Sequence, residues 1–154
     1  PNIYQGSDPL QKPLSVTTEI ASFKSRGAGF TEITDSVADW LQSIKAKEGQ
    51  ITIFIRHTSA SLTIQENADP AVCRDLIETL DRLAPEMLPY HHNTEGPDDM
   101  PAHIKAMLTS TSLSVPVFEG AMLLGTWQGI YIIEHRARPH RRDVVMQFFG
   151  IVEA

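Results

Sequence analysis

The sequence predicts an α+β domain in which mixed, largely antiparallel β-sheets carry two main helices and a short third one. Two observations predict it. Strand-like segments outnumber helical ones, and the two kinds do not alternate in the regular order that a doubly wound parallel sheet requires. Size is the third: 154 residues suffice for one sizeable core and are too few to make two domains. Residues 1–12 mix Pro, Gly, Asp and Gln without periodicity and are expected to form an irregular arm, leaving 13–154 as the single domain.

From Leu14 to Phe23 apolar and polar residues roughly alternate and β-branched types are frequent, a strand pattern. The stretch Lys24 to Gly29 reads as a turn and Phe30 to Thr34 as the return strand. Asp35 stands at an N-cap position, ahead of Val37, Trp40, Leu41 and Ile44 at helical spacing, with Gly49 closing the element. Ile51 to Ile55 is a short apolar run, read as a central strand buried on both faces, and Ser61 to Gln65 as another strand.

A second helix starts at Asp69-Pro70, since an N-cap carboxylate satisfies free backbone N–H groups and proline has none to lose at the first helical position. Val72, Cys73, Leu76, Ile77, Leu80 and Leu83 form its apolar stripe. A loop rich in Pro, Gly and Asn follows, from Tyr90 to His103, and holds three of the six histidines. Loops of that length inside a compact domain are usually functional or disordered. A short helix from Pro101 to about Leu108 pins it. Leu113 to Phe118, Ala121 to Leu124, Trp127 to Glu134 and Asp143 to Val152 are the remaining strands, the last preceded by a basic turn from Arg136 to Arg142.

Composition narrows the function. A net charge of −6 argues against a nucleic-acid partner, because phosphate backbones are bound by excess Lys and Arg. No apolar run reaches the roughly 18 residues of a membrane span, and no basic segment followed by an apolar stretch opens the chain. Cys73 is the only cysteine, which rules out an intrachain disulfide and a thiolate-rich metal site and fits a reducing compartment. Cytoplasm is the expected location. The sequence contains no Gly-x-Ser-x-Gly turn and no Gly-rich phosphate loop.

What remains is imidazole, carboxylate and guanidinium chemistry. His57 closes a strand, His92 lies in the loop and His103 at a helix start; their spacing is not the i, i+4 pattern of a helical zinc motif, and on spacing alone hydrogen-bonding roles on loops and strand ends are the favoured reading. Glu66 and Asn67 precede the second helix as capping residues or as a general base and an orienting amide. Arg141 and Arg142, with Arg136 and Arg138 nearby, form the dense positive cluster of an acidic chain, either a solvated turn or the rim of an anion site. Thr126 and Gln128 flank Trp127 and can reach a ligand if they share a cleft.

Taken together, His57-Thr58-Ser59-Ala60-Ser61-Leu62-Thr63, Glu66-Asn67-Ala68-Asp69-Pro70, Gly96 to Lys105, Pro116, Gly120 through Gly125-Thr126-Trp127-Gln128-Gly129-Ile130, Glu134 and Arg141-Arg142 resemble the YjbQ-like family. Its members are named as secondary thiamine-phosphate synthases. The resemblance implies an α+β homotrimer with a pocket for a divalent metal, expected to be zinc, and an anion. It makes His57, His92 and His103 the metal candidates and Glu66, Asn67 and Glu134 the catalytic ones. Thr58, Ser59, Thr126, Gln128, Arg141 and Arg142 are then expected around a small phosphorylated metabolite, with His91 as a bystander and the loop aspartates as context.

The implied reaction joins a hydroxymethylpyrimidine diphosphate to a thiazole phosphate, for which positioning and charge neutralisation do most of the work. Metal-dependent hydrolysis of a small phosphorylated metabolite is one alternative. A non-enzymatic trimeric binding protein for a metal or phosphometabolite is the other.

Overall fold

The computed structural model describes residues 12–154; the expected N-terminal arm, Lys12 apart, lies outside the described residues. The elements in order are β1 (Ser15–Lys24), β2 (Gly29–Glu32), α1 (Thr34–Ser43), β3 (Ala46–Ile55), β4 (Ala60–Glu66), α2 (Pro70–Leu83), α3 (Asp99–Leu108), β5 (Ser112–Phe118), β6 (Ala121–Met122), β7 (Gln128–Glu134) and β8 (Arg141–Val152). They build a mixed α+β fold. One sheet has the order β1-β8-β3-β5-β6 and a smaller one β2-β7-β4, and the paired strands run antiparallel.

One core lies between the sheets. Ile51, Ile53 and Ile55 of β3 and Val144, Met146 and Phe148 of β8 face Leu62 of β4 and Ile130 and Ile132 of β7, with Val37, Trp40 and Leu41 of α1 closing the side. Each fully buried aliphatic or phenyl side chain is worth about 1.5–3 kcal/mol. The buried indole is not left unsatisfied, since Trp40 Nε1 donates to Glu19 at 2.8 Å.

Several local expectations change. Segments 15–24 and 29–32 do not form a hairpin: β1 pairs β8 and β2 pairs β7. The chain leaves one sheet for the other because Ser25 N–H donates to the His140 carbonyl at 2.8 Å and Gly27, at φ +110°, packs against the Ala137 carbonyl. Asp35 lies inside the first turn of α1, whose cap position is held by Ile33 without a side-chain bond. Gly49 lies within β3 at φ +155°, and the helix already ends at Ser43.

Strand β3 is central, as expected, but one-faced: Ile51, Ile53 and Ile55 are buried while Phe54 between them is exposed. Asp69 does cap α2, accepting from Ala71 N–H at 2.9 Å with proline at the first position. The α2 stripe is only half-covered, with no fully buried residue. Strand β8 begins at Arg141 rather than Asp143, and α3 begins at Asp99. Among the described residues no helix is long and apolar enough to cross a membrane.

Candidate metal centre

The first turn of α3 and the loop before it place one carboxylate between two imidazoles. Asp99 and His103 stand four residues apart on the helix and so share a face. Asp99 Oδ2 lies 2.7 Å from His92 Nε2 and 3.1 Å from His103 Nε2. The three candidate ligand atoms all lie within 4.8 Å of one another. The aspartate is the buried member of the group, with its side chain 8% exposed. Burial works against its charge, but bonding to His92 and the charges of His103 and Arg136 outweigh that and hold its carboxyl below the usual aspartate range.

The hydrogen-bond pattern fixes one ring. His103 Nδ1 lies 3.0 Å from the Thr58 carbonyl oxygen, which can only accept, so this nitrogen carries the hydrogen. In the neutral ring Nε2 then turns a lone pair towards the Asp99 carboxylate. Two lone pairs at that distance require a cation between them, either a proton on the ring or a metal ion. An outer carbonyl that sets the tautomer of a ligating histidine is a recurring feature of metal sites. Bonds of about 2.0–2.1 Å to imidazole and carboxylate place tetrahedral donors about 3.3 Å apart; His103 and Asp99, at 3.1 Å, are near that spacing, and His92, at 2.7 Å, would move outward by a few tenths of an ångström to take a divalent ion.

The loop is tied to the β7–β8 turn. Arg136 Nε donates to Asp98 Oδ2 at 3.0 Å, Nη1 to Asp99 Oδ1 at 2.7 Å and Nη2 to the Glu95 carbonyl at 2.9 Å. Ala137 N–H adds a bond to Asp98 Oδ2 at 2.8 Å. Burial disfavours the Asp98 charge, but bonds from Arg136 and Ala137 more than offset it and lower its carboxyl. Arg136 therefore anchors the loop, and the two aspartates are its attachment points rather than mere context.

His57 is not in this group of three. Its Nε2 accepts from Asp143 N–H at 2.8 Å and its Nδ1 faces Arg142 Nη1 at 3.4 Å. Burial first, then the Arg142 charge, lowers its basicity. Arg142 is 4% exposed and mostly engaged: Nε donates to Glu134 Oε1 at 2.8 Å, Nη2 to Glu134 Oε2 and to Ser59 Oγ at 3.0 Å. Glu134 also accepts from Ser25 Oγ at 2.6 Å and Arg136 N–H at 3.2 Å; burial works against its charge, but the Arg142 bond, then those from Ser25 and Arg136, outweigh it and lower its carboxyl. This ion pair is a buried brace where three of the chain crossings between the sheets meet, through Ser25, Ser59 and Arg136. Arg141, in contrast, is exposed.

Beside the brace, Arg56, His57, Thr58, Ser59, Thr111 and Arg142 line a cavity of about 510 Å³. Arg142 Nη1 and, with Nε2 accepting, the N–H on His57 Nδ1 are its converging donors. Thr58 connects the two places, since its carbonyl holds His103 while its residue lines this cavity.

Glu66, Asn67, Thr126 and Gln128 are elsewhere. Register pairs Ala60 with Glu134 and Glu66 with Gln128, so these residues mark opposite ends of β4 and β7. Six strand steps separate them, about 20 Å within one chain. Gln128 Oε1 accepts from Gly125 N–H at 2.7 Å and closes the turn that carries Thr126, and Asn67 Nδ2 donates to Glu32 at 3.2 Å. The residue that sequence reasoning passed over is Asp99, although its i, i+4 relation to His103 is the spacing that marks ligands on one helix face.

The class of protein that emerges is a small α+β domain of two antiparallel sheets, with two histidines joined through a buried aspartate at one loop-and-helix corner. Residues 18–151 match the family model described as UPF0047 protein YjbQ-like, and the chain belongs to that family. It is 46% identical over 135 residues to a UPF0047 protein of Synechocystis, covering 87% of this chain and 92% of that one. With the UPF0047 protein YjbQ of Salmonella typhimurium it shares 42% identity over 123 residues, 79% of this chain and 89% of the relative. A solved YjbQ/UPF0047 family protein from Clostridium acetobutylicum superposes with a TM-score of 0.76 at 37% identity, covering 87% of this chain and 99% of that one. A YbjQ-like protein of unknown function from Sulfolobus solfataricus gives 0.82 at 22% identity, covering 89% and 99%, and speaks for the fold alone.

Proposed function

We propose that the protein is a divalent-metal-dependent enzyme acting on a small phosphorylated metabolite, with His92, Asp99 and His103 as the protein ligands. The carrying observation is the Asp99 carboxylate set between two imidazole nitrogens, one of them fixed by the Thr58 carbonyl. Two imidazoles and a carboxylate suit zinc. Asp99 replaces His57 in the ligand set first expected, and His57 moves to the neighbouring cavity.

The phosphate seat in this reading is that cavity, where Arg142, His57, Thr58 and Ser59 offer donors one residue from the carbonyl that orients His103. The reaction we assign is the secondary thiamine-phosphate synthase-type transfer implied by the family resemblance. A bound metal would supply Lewis-acid charge for the departing diphosphate; the chain's own groups hold the phosphate, orient His103 and keep the loop closed through Arg136. Metal-assisted hydrolysis is the second reading, favoured by a three-ligand set that leaves positions open.

Metal content of the purified protein and two assays test these readings. Thiamine phosphate formed only when both substrates are present, and lost in His103→Ala and Asp99→Asn, supports transfer. Phosphate released from a single substrate, abolished by chelator, supports hydrolysis. Tight metal or phosphate binding without turnover in either assay makes the chain a binding protein, and absence of bound metal together with full activity of both variants removes the metal-centred proposal.

We further propose a homotrimer, in the cytoplasm. The support is the outward face of the larger sheet, where Val16, Ile20, Phe54 and Phe149 are exposed. Phe54 also lines the cavity beside Arg142, so a neighbouring copy on this face would adjoin the phosphate seat.

A further inference from the structure

Between α2 and the β2-β7-β4 sheet lies a cavity of about 470 Å³, within the size range of small-molecule sites. It exists because α2 docks loosely, so that Cys73 and Ile77 become lining rather than core. The opposite wall is aromatic. Phe30 meets Tyr131 edge to face, with centroids 5.5 Å apart and planes at 83°, and both rings line the cavity. Tyr131 is only 7% exposed. Gly129 leaves the space in which Glu32 and Asn67 meet, since a Cβ there would come within 2.6 Å of Glu32 Oε2 and 3.0 Å of Asn67 Cβ.

The lining is charged in one sense. Glu66, Asp69 and Glu78 stand against a single Arg74. Asp69 is engaged in capping α2. Glu66 and Glu78 have no ion-pair partner among the described residues. Burial first, then the charges of Glu32, Cys73 and Glu66, push the Tyr131 phenol up to about 12; burial resists charge of either sign, and it is the neighbouring carboxylates that tilt the wall towards a cation.

We propose that this cavity is a second binding site, for a small flat aromatic cation whose ring lies against Phe30 and Tyr131 while its positive edge faces Glu66 and Glu78. An apolar wall takes the ring, and the half-buried Glu66 and exposed Glu78 carboxylates at its edge, with the aromatic faces, select the charge. The site lies at the far end of β4 from the histidines, and it does not rest on the metal reading. It gives Glu66 and Asn67 a binding role at a place of their own.

Titration of the full chain with benzamidine, followed by calorimetry and by NMR shifts of Tyr131 and Ile77, tests it. The expected result is saturable binding, with neutral benzamide weaker by about tenfold or more, a difference on the order of 1.4 kcal/mol, and benzoate not binding. Glu66→Gln combined with Glu78→Gln weakens benzamidine to the level of benzamide. Ile77→Trp, which fills the cavity while keeping α2 apolar, abolishes binding. His103→Ala leaves binding unchanged, which separates this site from the metal centre. Equal affinity for benzamide, full binding by Ile77→Trp, loss of binding in His103→Ala, or no saturable binding overturns the proposal.

Discussion

Glu134 is held as a structural carboxylate by its buried pairing with Arg142. Both carboxylate oxygens of Glu134 are bonded to Arg142, and Ser25 and Arg136 take further lone pairs. Removing one partner of such a pair leaves the other charge buried, which costs about 3–5 kcal/mol. Glu134→Gln is therefore expected to lower the unfolding free energy by that measure, read as a lower urea midpoint, and an unchanged midpoint would show the brace to be dispensable. His135 predicts a pH effect. It is buried against Ser61 Oγ at 2.8 Å, and burial, then Lys105, lowers its pKa to about 4. Below the ordinary histidine value of 6.5 the unfolded chain takes up a proton that the folded ring refuses, so stability falls as pH drops from 6.5 to 4 and this loss levels off below that. The size is roughly 3 kcal/mol. His135→Gln should flatten the pH dependence of the unfolding free energy in that window, while the lowered carboxyls of Asp98, Asp99 and Glu134 keep a second loss at still lower pH. Single residues were legible by type but not by partner: His92 and His103 stood out as imidazoles in one loop, whereas Asp99 resembled any turn aspartate until helix α3 set it one turn from His103.

Helix starts and strand alternation are local signals, and they were read where chemistry is local. Asp69-Pro70 capped α2 as expected because the cap needs only its own turn. Gly49 was misread as a helix stop because its reason is distant: in β3 it sits at φ +155°, and a Cβ there would fall on the Phe149 carbonyl and the backbone of Gly150 in β8. The register slips between Ala46 and Glu48 at the same place. Both the backbone angle and the contact exclude a side chain, and the contact is with backbone that cannot swing away. Gly49→Ala is accordingly expected to destabilise by well over about 1 kcal/mol, read as a lowered melting temperature, whereas a small change would mean that the two strands can separate locally. The false hairpin between β1 and β2 has the same origin. A turn-like sequence can end one strand without deciding which sheet receives the next, and here the reciprocal bonds between Ser25 and His140 decide it.

At the scale of the whole molecule, strand β8 carries the unresolved apolar surplus. Val144, Met146 and Phe148 fill the core, yet Phe149 on the other face is 52% exposed, and Phe54 of the neighbouring β3 is 44% exposed. Register places Val16 beside Phe149, and Ile20 and Phe54 on either side of Val145, so these side chains form rows across one sheet face rather than scattered points. The polar row of Thr18, Gln147 and Thr52 runs between the two apolar ones, and apolar rows rimmed by polar residues are the pattern of an association surface. The sequence expectation that β3 is buried on both faces fails for one chain and would hold in an assembly that covers the sheet. Phe149→Glu separates these cases. On a free surface the substitution changes stability by about 0.5 kcal/mol or less and leaves the sedimentation coefficient alone. On a subunit interface it buries an unpaired carboxylate against apolar neighbours, and the proposed trimer should dissociate to folded monomers with an unchanged far-ultraviolet spectrum. Because Phe54 borders both this face and the cavity beside Arg142, dissociation should also weaken phosphate binding, and a variant that stays trimeric would place the interface on another surface.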